Sequence, residues 1–146
     1  MKCLRKIWFI SLLLFIFNTV ELSELHKDIV WVPITDWDRF VLALIDVESE
    51  GRDSIVGRND DVGILQLTPI YVKEVNRLMK TDSFKLSHRW DRKRSLEMFD
   101  IIQSHYNVER DIDKAIRLHN PNAGEVYKSK IKRKISCLQD QKYKTI

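Results

Sequence analysis

The chain has 146 residues, enough for one compact domain with a real core and too few for two large ones; its 44% hydrophobic and 32% charged residues suit an ordinary soluble domain once the first segment is set aside. Its formal charge of +4 falls to +1 if Lys2, Arg5 and Lys6 leave with the first 20 residues, so the high isoelectric point overstates how basic the remainder is. A nucleic acid is excluded as partner for a chain read as exported.

Export is the reading of residues 1 to 20, where those three cations precede an almost unbroken apolar run from Ile7 to Phe17. The run is shorter than the roughly 20 residues a bilayer span needs, which favours a cleaved signal peptide over an anchor. The following residues, Asn18 to Glu21, make a poor small-residue cleavage site, so an uncleaved N-terminal membrane tether is the alternative. Cys3 precedes the apolar run and gives no lipid-attachment signal. Without that segment Cys137 is the single cysteine, no internal disulfide can form, and stability must come from packing.

Residues 21 to 34 form an approach segment with Pro33. Thr35, with Asp38 three residues on, predicts a capping box opening a helix from about 36 to 49, with Val41, Leu44, Ile45 and Glu48 on one face. Residues 50 to 61, with two glycines and many short polar side chains, predict a loop or a small irregular hairpin. Thr68 and Pro69 start a second helix running to about 80, with Ile70, Val72, Val75, Leu78 and Met79 as its apolar set. Residues 81 to 93 form a polar connector containing Trp90.

A third helix is predicted over 94 to 106 with Leu96, Phe99, Ile102 and Gln103 inward, and a fourth over 111 to 119 with Ile112, Ala115, Ile116 and His119. Asn120 before Pro121 ends it, since a residue preceding proline is pushed out of the helical region. Asn122, with Glu125 three residues later, is expected to cap the last helix, along which Val126, Ile131, Ile135 and Leu138 recur. The domain is thus expected over 35 to 138, all-α, with a polar basic tail over 139 to 146. Residues 128 to 146 carry seven Lys or Arg against Asp140 alone. That end is either a solvated helix terminus or a contact for an anionic polymer or a peripheral membrane surface.

Glu48 is the residue that suggests chemistry. A carboxylate placed where a core residue is expected must be satisfied or protonated, and glycosidic cleavage needs a proton delivered to the leaving oxygen. Gly63 can bring backbone close to an extended ligand, and Gln66 offers a donor and an acceptor to a sugar, while Ile64, Leu65 and Leu67 anchor the segment. The four histidines are dispersed, with no metal-ligand spacing, and no phosphate-cradling glycine loop occurs. No cofactor and no metal are expected.

Glu48-Ser49, the glycine-containing gap, Gly63-Ile64-Leu65-Gln66, Pro69, the stretch 115 to 120 and a following helix with Tyr127 resemble the lytic transglycosylase domain of the goose-type lysozyme superfamily. The resemblance covers about 36 to 136. It implies a mainly helical α+β lysozyme-like fold with a substrate cleft, and Glu48 as the general acid and then base. It further implies that Ser49 supports the glutamate or touches substrate, that Gly63, Ile64, Leu65 and Gln66 line the cleft like the family's Gly-Leu-Met-Gln segment, and that Asn120 orients sugar or holds the loop, with Tyr127 also counted among the substrate-binding residues. His119 stands where the family has tyrosine or tryptophan, beside the glutamate and the bound acetamido sugar. The implied activity is cleavage of the β-1,4 bond between N-acetylmuramic acid and N-acetylglucosamine with a 1,6-anhydromuramoyl product. The implied partners are peptidoglycan glycan strands in the periplasm or cell envelope, with a wall-spanning assembly or transfer apparatus as the setting. A hydrolytic muramidase, with Asp60 or Asp61 positioning water, and an inactive peptidoglycan-binding protein of the same fold are the alternatives, and a helical adaptor using the basic final helix is a third.

Overall fold

The structure, a computed structural model, describes residues 34–141. The signal or tether and most of the basic tail lie outside them. Among the described residues five α-helices follow one another: α1 (Asp36–Ser49), α2 (Pro69–Met79), α3 (Arg92–Tyr106), α4 (Ile112–His119) and α5 (Glu125–Gln141). A short 3-10 helix, Leu86–Trp90, precedes α3 in the stretch read as a connector. Among the described residues no helix is long and apolar enough to cross a membrane.

Local chemistry explains most helix starts. The Thr35 hydroxyl takes the Asp38 amide at 3.1 Å while the Asp38 carboxylate takes the Thr35 amide at 2.8 Å, a reciprocal box that satisfies two orphan donors. Thr68 caps α2 with Pro69 in its first position. Asp91, accepting from the Arg94 amide, starts α3 two residues earlier than expected. Asn122 does not cap α5: its amide donates to the Asn120 side chain at 3.1 Å, placing it inside the turn, and the helix begins at Glu125.

The expected lysozyme-like α+β architecture is overturned. Among the described residues there is no strand, only the single-residue bridges Val56 to Val62 and Val62 to Leu67. The cause lies in the segment itself. It is rich in Gly, Asp and Asn, which favour turns over extended chain, and Asp60, Gly63 and Gln66 take left-handed backbone that breaks any run before it can pair.

The core is built where α1 packs along α5, α2 on α3, and α3 on α4. Phe40 and Leu44 of α1, Val72 and Val75 of α2, Met98 and Phe99 of α3, Ile116 of α4 and Ile131 of α5 are all buried in it. Trp37 lies 5.1 Å from Phe40 and 6.2 Å from Phe99 between ring centroids, extending the core towards the start of α1. Ion pairs fasten α5 from outside, Lys134 to Asp46 at 2.5 Å and Lys132 to Asp113 at 2.8 Å. Ile70 and Val126, placed inward by their spacing, are instead exposed in the first turns of α2 and α5. Cys137 is a free, exposed thiol.

Candidate active site

Three helix ends meet at Glu48. It is the penultimate residue of α1, His119 is the last residue of α4, and Tyr127 lies in the first turn of α5. The capping box and the Asn120-Pro121 stop fix where α1 begins and α4 ends, and the α1–α5 packing brings the three side chains together.

The Glu48 side chain is 15% exposed and that of His119 only 4%. His119 Nε2 lies 3.2 Å from Glu48 Oε1, and the Tyr127 hydroxyl donates to the same oxygen. The second oxygen of Glu48 takes no hydrogen bond from the described residues. Burial first, and then the charge of Glu48, push the Tyr127 phenol well above its ordinary range, so it stays protonated and serves as a fixed donor. Tyr127, expected to bind substrate, holds the Glu48 carboxylate in this structure.

Ser49, buried, links Glu48 to the glycine turn: its hydroxyl lies 2.8 Å from the carbonyl oxygen of Ile64 and 3.2 Å from that of Ile45. The turn is held from within. The Gln66 amide nitrogen donates to the carbonyls of Gly63 at 2.8 Å and Ile55 at 3.2 Å, and the backbone of Val62 and Leu67 exchanges hydrogen bonds at 3.2 and 3.0 Å. Of the four residues expected to line a cleft, Ile64 and Leu65 are wholly enclosed, so in this structure they are core and neither offers a surface to a ligand. Gly63 is buried too, and the part-exposed Gln66 uses its nitrogen to close the turn. Asn120 holds its loop, its side chain accepting the Asn122 amide and its carbonyl the Ala123 amide at 3.0 Å.

Arg89 is the residue that sequence reasoning missed. Only 5% exposed, it donates through Nη1 to the carbonyls of Asp60 and of Leu67, the latter at 3.0 Å, and through Nε to that of Leu86 at 3.0 Å. The Ser95 hydroxyl donates to its own carbonyl at 2.8 Å. One cation thus clamps the glycine turn to the 3-10 helix. Nothing in a polar stretch marks one arginine as buried, because its acceptors are backbone carbonyls that have no sequence signature. Arg89→Met is expected to destabilise the fold by about 2–4 kcal/mol, since the enclosed Leu67 carbonyl loses its side-chain donor. Urea unfolding measures it, and a loss below about 0.5 kcal/mol contradicts the clamp.

Asp60 and Asp61 each have a partner in or beside their loop. Asp60 faces Arg89 at 3.6 Å, and Asp61 accepts the Asn59 amide at 2.7 Å. Asp46 is paired with Lys134 and Glu50 with Arg52. Glu48 is the carboxylate that stands where the three helix ends meet. Two cavities lie elsewhere: one of about 610 Å³ between α2 and the connector, lined among others by Lys73, Arg77 and Phe84, and one of about 460 Å³ bordered by Asp46, Glu50, Lys130 and Arg133. Among the described residues no group of three or more His, Cys, Asp or Glu could hold a metal ion.

Compared with known proteins, the chain matches no family model, no curated protein and no solved structure.

Proposed function

We propose that the protein is a peptidoglycan lytic transglycosylase with Glu48 as its single acid and base. The observation that carries the reading is the state of Glu48: partly buried at the meeting of three helix ends, one oxygen held by Tyr127 beside His119, the other without a hydrogen bond from the described residues. A carboxylic acid so placed protonates the oxygen leaving the β-1,4 bond between N-acetylmuramic acid and N-acetylglucosamine. As a carboxylate it then removes the proton from the muramoyl 6-hydroxyl, which closes onto the anomeric carbon as the 1,6-anhydro ring. Participation by the substrate's own acetamido group takes the place of a protein nucleophile, so one carboxylate suffices. The reading carries with it an exported protein acting on glycan strands, with local opening of the wall for an assembly or transfer apparatus as its setting.

Incubation of the purified protein with peptidoglycan, followed by mass analysis of the fragments, tests it. The expected product carries a 1,6-anhydromuramoyl end. A hydrated reducing end makes the protein a muramidase, and saccharide binding without fragments makes it a binding protein that lacks turnover.

A further inference from the structure

The two nitrogens of His119 stand in different surroundings. Nε2 is 3.2 Å from Glu48 Oε1, whereas Nδ1 is buried with no hydrogen-bond partner. The ring is packed edge-on between Tyr71 of α2, at 6.2 Å between centroids, and Phe99 of α3, at 5.9 Å. The titratable groups around it are Glu48 from α1, Tyr71 from α2 and Tyr127 from α5, while α3 presents the uncharged Phe99. Burial raises both phenols, so neither carries a charge there, and the Glu48 carboxyl is the acidic group facing the ring.

This asymmetry selects a protonation state. An imidazolium, or the tautomer with its proton on Nδ1, leaves an N–H donor enclosed without an acceptor, the costlier way to strand a polar atom. The neutral ring with its proton on Nε2 strands only a lone pair and gives its hydrogen to a carboxylate. We infer that His119 is a positioning residue: a neutral imidazole donating through Nε2 to Oε1 of Glu48, so that Oε1, which also takes the Tyr127 hydroxyl, is closed to substrate and the proton Glu48 exchanges is carried on Oε2. Oε2 takes no hydrogen bond from the described residues and belongs to a part-exposed side chain, so the proton is placed on the oxygen left for a glycosidic oxygen to meet. Only the statement that this proton goes to a sugar rests on the proposed function; the tautomer and the two-donor hold on Oε1 do not.

The decisive measurement reads the ring directly. Nitrogen-15 correlation spectra of the imidazoles in the full protein, at about pH 8 and so above the ordinary imidazole range, are expected to show His119 with Nε2 protonated and Nδ1 bare. A cation, or a proton on Nδ1, overturns the inference. In Glu48→Gln the His119 titration midpoint is expected about one pH unit or more lower, because the carboxylate that favours the cation is gone. An unchanged midpoint overturns it as well.

Activity adds a third arm. His119→Phe is expected to lose about 10- to 100-fold in cleavage, the scale of a hydrogen bond to a charged group. The alkaline limb of its pH–rate profile moves upward, since a carboxylate that loses a donor holds its proton to higher pH. His119→Gln, whose amide can donate in the same place, recovers part of both. An unaltered profile in His119→Phe counts against the positioning role. If the expected tautomer and coupling appear in a protein that releases no fragments, the enzymatic reading fails and the positioning of Glu48 stands.

Discussion

Glu48→Gln is expected to leave the protein folded and to lower peptidoglycan cleavage by about 100- to 10,000-fold, the range attributed to a positioned general acid. The substitution changes little except the exchangeable proton. Glutamine has nearly the shape of glutamate, and its amide oxygen can accept from the Tyr127 hydroxyl as Oε1 does now, with His119 Nε2 3.2 Å from the same place. The melting temperature should therefore stay within a few degrees of the parent, corresponding to about 1 kcal/mol or less, while fragment release in the mass assay disappears. Full turnover in a folded Glu48→Gln protein removes Glu48 from the mechanism.

Gly63→Ala is expected to be the most damaging single-methyl change in the chain, costing about 3 kcal/mol or more. Two effects coincide at this glycine. Its φ of +78° lies in the left-handed region that a side chain disfavours, and a Cβ there meets the Arg89 carbonyl oxygen at 2.0 Å. The obstacle is backbone, fixed by the Ser95 hydroxyl and by Arg89's own hold on the turn, so it cannot rotate away. Displacing the turn also moves the Ile64 carbonyl that Ser49 grips, and with it the end of α1 that carries Glu48. Lost stability and lost cleavage are thus expected together, read by urea unfolding and by the product assay. Gly51→Ala supplies the control. Its φ of +77° is equally left-handed, but nothing lies within 4 Å of a Cβ there, so only backbone strain of about 1 kcal/mol is expected. Equal losses at the two positions would show that the Arg89 contact contributes nothing.

The difference between these two glycines shows where sequence reasoning stops. Both are legible as turn formers, yet only the fold presses a carbonyl against one of them. The helices were legible for a related reason: the Thr35–Asp38 box, Thr68 before Pro69, and the Asn120-Pro121 stop act over a few residues, where the groups that satisfy one another are near in sequence. The position of Ile70 was misread because apolar spacing marks a helix face but not how far the partner helix extends, and α2 begins beyond its cover. The α+β expectation failed where the chain between α1 and α2 is too rich in Gly, Asp and Asn, and too often left-handed, to hold a ladder.

By itself the sequence determined five helices, their order, and Glu48 at the end of the first, because capping and helical periodicity are local. Only the tertiary structure decided that His119 and Tyr127 converge on one oxygen of that carboxylate and that Arg89 is a buried clamp. Those facts depend on groups 71 and 79 residues away from Glu48, or on backbone carbonyls, and such pairings exist only after α1 has buried its apolar face against α5.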